Sequence, residues 1–439
     1  MMTMMRYSLI EDMKSGHLLL PEFLAQIEAR FMEREPAILA LLPEEDRFGR
    51  LHEDAETLVL SYLDLITRPI LFGALVGVKD IFHVEGFVTQ AGSQLPSGLL
   101  HGTEAKSVTR LKEAGALIFG KTVTTEFAYF FPGPTRNPHN PEHTPGGSSS
   151  GSAAAVAAGF CHLALGTQTI GSIIRPAAFC GVVGFKPTYD RISRAGVVPL
   201  SPSLDHIGLF TSDVETAKYA ASVLIEDWRP ILTEEVGGLE TMDRKPTLGV
   251  PEGPYLASAS DYALARFNAI CDSLTQAGYE LRRIPVMDDF QEIRNQHDVI
   301  MSAEAAQVHA NWFDKFPDLY SAKFTELIQR GQSINNDRLR TAFDNRDKFR
   351  DQITQTMSEH NIDLWICPPA VGPAPKGLES TGDPVMCLPW TQIGFPAINL
   401  PAGKNDEGLP MGLQVVGPWN SDEALLAWAA DLEKVVNKL

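Results

Sequence analysis

The residues with the clearest chemical potential sit in two short loops of small side chains. Gly146-Gly147-Ser148-Ser149-Ser150-Gly151 leads into SAAAVAAG, and Thr167-Gln168-Thr169-Ile170-Gly171-Ser172 leads into IIRPAAF. A glycine-rich turn that enters a helix leaves the first backbone N–H groups unpaired and aims several of them at one point. That geometry suits an oxyanion or any other anion. One such loop is an ordinary turn and cap as readily as a site; two of them within residues 144–188 are a stronger signal. Each loop also carries serine hydroxyls, which become nucleophiles only when a base removes the proton. Histidine is the usual base, yet none of the eleven histidines lies beside either loop in a triad-like setting. His143 is the nearest and reads as a turn residue.

Other chemistries fit less well. Gly115 to Thr122, GALIFGKT, matches the pattern GxxxxGK[ST]. That phosphate loop must follow a strand and open a helix. Here the helix-like SVTRLKEAG comes first and the intervening residues are apolar, so the stretch reads as a buried strand. The five cysteines include no CxxC and no Cys/His pair at ligand spacing, so no metal and no cofactor is expected. Reduced, buried thiols fit a cytoplasmic protein. The formal net charge of −18 repels phosphate backbones and anionic membrane surfaces, and no Lys/Arg run offsets it. Nucleic acid and membrane are therefore not expected as partners. Glu11, Asp12 and Lys14 interrupt the only leader-like segment at the start of the chain. No apolar run reaches the roughly 18 residues of a membrane span.

The loops need a frame, and the surrounding residues supply one. Residues 1–65 read as helices, with apolar residues at helical spacing in LLLPEFLAQIEARFMEREPAILALL and EDAETLVLSYLDLI. Across 66–225, strand-like runs (ALVGVK, ALIFGKT, CHLALGTQ) alternate with helix-like ones (SVTRLKEAG, SAAAVAAGF). Alternation of this kind predicts an α/β fold with a largely parallel or mixed sheet between helices. From 240 to 360 charges thicken and helical periods lengthen, which predicts a helical layer covering the core. Buried-strand texture returns in 361–439 with DLWICPPA, PAINLPAG and GLQVVGP, so the C-terminus is expected to close one domain spanning 1–439.

The segment TPGGSSSGSAAAVAAGFCHLALGTQTIGSIIRPAAFCGVVGFKPT resembles the serine- and glycine-rich signature of the amidase signature family. The similarity extends through GVKD at 77–80, KTVTTEF at 121–127, NPHNP at 137–141, SLDHIG at 203–208 and GFPAINLPAG at 394–403. It covers the chain from about residue 70 to 418, leaving out the first helices and most of 240–360. The resemblance implies a mixed sheet flanked by helices on both faces and an amidohydrolase acting on carbon–nitrogen bonds. It places the family's nucleophile on Ser172, its bridging serine, which follows a cis peptide, on Ser148, and its base on Lys79. The 24-residue spacing between the two serines agrees with the family. A lysine base must be neutral, which desolvation favours. The apolar run Ala74-Leu75-Val76-Gly77-Val78 sets Lys79 at the end of a buried strand, with Asp80 turned to the opposite face. The backbone N–H groups of Thr169, Ile170, Gly171 and Ser172 are the expected oxyanion donors.

Some residues depart from the family pattern. Gln168 stands where an acid is usual, Ile170 replaces a glycine, and the arginine lies one position later, at Arg175. On a helix starting near Ser172, Arg175 shares a face with it. It is expected either to grip a substrate carboxylate, as in the malonamidase-like branch, or to serve the fold. Ser149, Gln168 and Thr125 are the further substrate-binding candidates, with Phe127, Trp390 and the 240–360 region as pocket walls. The expected substrate is a small amide bearing a carboxylate. Two alternatives stand beside this reading. One is the glutamine-amidase subunit of a tRNA-dependent amidotransferase. The other is a non-catalytic anion- or nucleotide-binding protein. A homodimer is a habit of such enzymes rather than a reading of this sequence.

Overall fold

Leu75–Lys79 is buried at all five positions, with no polar face. A strand that reads as apolar throughout belongs in the middle of a sheet covered on both sides. The computed structural model, which describes residues 5–229 and 244–438, places it there. This strand, β1, lies between β2 (Leu117–Thr122) and β3 (Leu163–Gln168), parallel to both. Next come β4 (Val183–Lys186) and β5 (His206–Thr211), and then β6 (Leu248–Glu252) and β7 (Leu281–Pro285). The C-terminal third adds β8 (Leu364–Cys367), β9 (Ala397–Lys404) and β10 (Pro410–Val416). Together they form one ten-stranded sheet, ordered β2-β1-β3-β5-β4-β9-β10-β8-β6-β7. The pairings around β5, β4, β9 and β10 are antiparallel, and those at both edges are parallel. The C-terminal strands thus pair directly with β4 of the first half, and one continuous hydrophobic core runs from Met5 to Val436.

Helices α1 (Tyr7–Lys14), α2 (Leu20–Ile38) and α3 (Arg47–Ser61) occupy the N-terminal region as expected. Between β1 and β5 the chain adds α4 (Lys106–Glu113), α5 (Ser150–Ala157) and α6 (Ile174–Cys180). All eight residues of α5 are buried, which explains why all are small. A Cβ on Gly151 would stand 2.2 Å from the carbonyl oxygen of Ala40. Arg30 and Arg34 of α2 donate to the carbonyls of Gly159 and Ala158, at 2.8 and 2.7 Å, and so tie the N-terminal helices to the end of α5. After β5 come α7 (Val214–Leu224), α8 (Asp261–Gln276), α9 (Phe290–Lys315), α10 (Ala322–Gln332) and α11 (Asn336–Glu359). The short α12 (Leu388–Gln392) and the terminal α13 (Asp422–Val436) complete the chain.

The 240–360 region carries the expected helical layer and adds strands to it. It contains α8 to α11, but it also supplies β6 and β7 at the sheet edge. The sequence LRRIP of β7 is half exposed, with two arginines and no apolar alternation, so it carries no strand signature. Residues 240–243 of this region, and residues 1–4 of the leader-like segment, lie outside the described residues. GALIFGKT contains β2, the buried strand expected instead of a phosphate loop. All five cysteines are free and buried. Among the described residues no helix is long and apolar enough to cross a membrane.

Candidate active site

In open α/β sheets, sites form beyond the carboxyl ends of parallel strands. Here β1 ends in Lys79 and β3 runs out into the loop 169–172. Lys79 is fully buried, and its Nζ donates to Ser148 Oγ at 2.8 Å and to Thr167 Oγ1 at 2.7 Å. Burial pulls its pKa down to about 7, against a smaller upward pull from the Asp205 carboxylate. Asp80 faces the other way, as strand alternation requires, and pairs with Lys121 at 2.8 Å.

Ser148 follows a cis peptide bond from Gly147. Its loop is tied down on every side. Ser149 Oγ donates to the Thr167 carbonyl at 3.2 Å, Ser150 Oγ donates to the Gly146 carbonyl at 2.8 Å, and the Ser148 carbonyl accepts from the Thr125 amide at 3.2 Å. The second loop is held from beneath by Gln168. Its Oε1 accepts from the amides of Ile173 and Ile174, at 2.8 and 3.0 Å, and its Nε2 donates to Thr391 Oγ1 at 2.9 Å. Thr391 Oγ1 in turn donates to the Ile170 carbonyl at 2.6 Å. Gln168 therefore does an N-cap's work for α6, and the acid that usually stands at this position is not needed for it.

With those later amides taken by Gln168, the N–H groups of Ile170, Gly171 and Ser172 have no protein acceptor among the described residues. Ser172 Oγ likewise makes no protein hydrogen bond there, and at 8% exposure it is the most open of the three candidate residues. Ser148, Thr169, Ile170 and Ser172 border one narrow cleft, closed by Tyr129, Phe130, Met301 and Pro384. The cleft adjoins a vestibule of about 300 Å³ that shares Tyr129, Phe130, Ile170, Met301 and Pro384 with it. On the vestibule side lie Arg294, His297, Asp298 and Met301 of α9, at helical i, i+3, i+4 and i+7 spacing. The 240–360 region thus does supply walls.

The structure brings Lys79, Ser148, Ser172 and the loop 169–172 together. It directs three substrate-binding candidates elsewhere. Ser149 and Gln168 are spent on the internal bonds above, and the Thr125 hydroxyl donates to the Tyr129 carbonyl; all three are at most 1% exposed. They brace the loops because each reaches a backbone group nearer than the cleft. Phe127 packs into an aromatic cluster with His309, Tyr320 and Phe324, and Trp390 donates to Tyr255, so neither forms a wall. Arg175 does border the cleft, but its Nη2 donates to the Gly147 carbonyl at 2.7 Å and its Nη1 to the Gly382 carbonyl at 2.6 Å. Its guanidinium is thereby committed to tying the Ser148 loop to Thr381 and Gly382. His143 bonds the Ala374 carbonyl at 2.8 Å and takes no part in the cleft.

Thr167, Asp205, Tyr129 and Met301 went unread in the sequence. Asp205 alone had a signal, the SLDHIG motif. Thr167 comes under Lys79 through strand pairing, in which Val78 faces Leu165.

A family model described as Amidase matches residues 52–426. The chain belongs to the amidase signature family. A glutamyl-tRNA(Gln) amidotransferase subunit from Exiguobacterium sibiricum is 32% identical over 408 residues, covering 82% of this chain and 83% of that protein. A crystal structure of an amidase superposes with a TM-score of 0.86 at 30% identity, covering 98% of this chain and 99% of the other. A peptide amidase from Stenotrophomonas maltophilia, 23% identical, shares the fold with a TM-score of 0.79 over 99% of this chain and 97% of its own. As an amidase, the chain is a hydrolase of amide carbon–nitrogen bonds, and the non-catalytic binding reading is set aside.

Proposed function

We propose that this amidase cleaves a small amide through an acyl-enzyme on Ser172, with Ser148 as proton bridge and Lys79 as base. The observation that carries the reading is a lysine shut away from water, drawn down to about 7, whose hydrogen bonds go to two hydroxyls instead of a carboxylate. Neutral Lys79 takes the Ser148 proton while Ser148 Oγ takes that of Ser172. Ser172 Oγ then attacks the amide carbon. The amides of Ile170, Gly171 and Ser172, with Thr169 beside them, face the developing oxyanion, and one such donor is worth about 3–4 kcal/mol. As the intermediate collapses the C–N bond breaks, and the proton returns through Ser148 to the leaving nitrogen. The nitrogen departs as ammonia or an amine, and water then cleaves the ester by the same relay in reverse, releasing a carboxylic acid and free Ser172. The free, buried cysteines fit a reducing cytoplasmic setting.

A serine-directed phosphonyl fluoride tests the assignment. Mass spectrometry should find the label on Ser172, and Ser172→Ala should abolish it. Label on another residue, or turnover surviving in Ser172→Ala, refutes it. The finer proposal is a substrate carrying a carboxylate, held at Arg294, which lines the vestibule and makes no ion pair among the described residues. A panel of small amides with ammonia detection, run on Arg294→Ala, should show KM rising more for acidic amides than for neutral ones. Equal rises refute the grip.

A second reading is favoured by the Exiguobacterium relative: the glutamine-amidase subunit of an amidotransferase. Strict glutamine use and co-purification with a second subunit would support it. Turnover of small amides by the chain alone would exclude it.

A further inference from the structure

We propose that Asp205 is a positioning residue for amide cleavage, clamping the oxyanion loop through Thr169 and placing a carboxylate on the cavity that Thr167, the hydrogen-bond partner of Lys79, also lines. The inference rests on Lys79 and Ser172 acting as proposed above. In the β3–β5 ladder Gln168 faces His206, and one further step sets Thr169 opposite Asp205. Thr169 Oγ1 donates to Asp205 Oδ1 at 2.6 Å. The other oxygen, Oδ2, accepts from the amides of Leu200 and Ser201, at 2.8 and 3.0 Å. Leu200 borders the serine cleft, so one carboxylate fixes two of its walls. The clamp continues outward: Ser201 Oγ and the Ser203 amide both donate to Glu304 Oε2 of α9, at 2.5 and 3.0 Å. The oxyanion loop is thereby linked to the helix that roofs the vestibule.

A buried carboxylate without a countercharge is costly. Asp205 is in no ion pair among the described residues, and burial raises its pKa to about 6 despite three hydrogen bonds. Asp205 and Thr167 also face a common cavity of about 210 Å³ on the far side of Leu200. The charged groups around the pair are few. Among the described residues Asp205 pulls the Lys79 pKa up against burial, while Asp80 is spent on Lys121. Asp205 itself meets Glu304 from α9 and Arg194 across the cavity. An ionised Asp205 favours a protonated Lys79, so removing its charge lets Lys79 lose its proton at lower pH.

Three variants of the full chain, Asp205→Asn, Asp205→Glu and Thr169→Val, separate the clamp from the charge. The readout is kcat/KM against pH on one amide. The Asn variant should lose about 10- to 100-fold in kcat, and its acid limb should move down by about one pH unit. Thr169→Val should lose about tenfold in kcat with the limb in place, since the charge remains. Should the Asn variant not fold, the other two decide. Asp205→Glu should keep the limb where the wild type has it, and a moved limb there overturns the proposal. So does a Thr169→Val enzyme with kcat within about twofold of wild type. Wild-type protein that resists phosphonyl labelling at Ser172 sinks the underlying mechanism and this proposal with it. A labelled wild type whose Asn variant keeps the acid limb sinks the proposal alone.

Discussion

Two strands of this sheet end in a fully buried lysine, Lys79 on β1 and Lys186 on β4. Burial draws both down to about 7. Their partners differ. Lys79 donates to the hydroxyls of Ser148 and Thr167, whereas Lys186 donates to the backbone carbonyls of Pro187 and Phe395. A carbonyl has no proton to give and can only accept. A hydroxyl can pass its proton to a neutral amine and take another from a neighbour. Desolvation is thus shared by the proposed base and a strut, and the difference lies in what each ammonium touches. Around Lys79 the touching group, Ser148, also borders a cleft with free amides, whereas the groups that Lys186 touches are backbone carbonyls.

Replacing each lysine by methionine should break the symmetry most sharply. Lys79→Met should lower kcat by about 10³-fold, within the usual span for a lost general base. Its thermal midpoint should fall little, because Lys79 is in no ion pair among the described residues and Asp205 keeps its three hydrogen bonds. Lys186→Met should do the reverse. Two buried carbonyls lose their donor, costing about 1–3 kcal/mol each in chemical unfolding, while the folded fraction keeps its Ser172 labelling. Similar loss of labelling in both variants would erase the distinction.

Arg175→Met comes next. It strands the carbonyls of Gly147 and Gly382, so stability should fall by about 2–4 kcal/mol and kcat should drop with the Ser148 loop. Denaturant titration and kinetics read both; unchanged stability with a selective KM rise for acidic amides would instead make Arg175 a substrate grip. The smallest effect is expected at Gln168→Ala, which uncaps the Ile173 and Ile174 amides for about 1–2 kcal/mol.

The comparison also shows what a sequence can convey. Lys79 was legible because an apolar run ends on it, and the two serines because small residues cluster around them and match a known signature. Lys186 ends an equally apolar strand, GVVGFK, and no local pattern separates the two; the difference lies in what packs alongside. The role of Thr167 was hidden for the same reason, since strand register brings it to the site, and Asp205 showed only as part of SLDHIG. Arg175 borders the same cleft as Ser172, although α6 begins only at Ile174, and its long side chain reaches past the cleft to the backbone of the first loop. The mixed sheet was legible from alternating runs, whereas β7 was not, because an edge strand with exposed arginines needs no apolar alternation.

The central claim is that a neutral, desolvated Lys79 activates Ser172 through Ser148. Its most direct test is the rate of phosphonyl labelling at Ser172 followed from pH 5 to 9 in wild type and Lys79→Met. Wild type should label slowly in acid and rise to a plateau, with its midpoint near the value of about 7 that burial sets for Lys79, and the variant should stay slow throughout. A flat wild-type profile, or a Lys79→Met protein that labels as fast as wild type, would contradict the account.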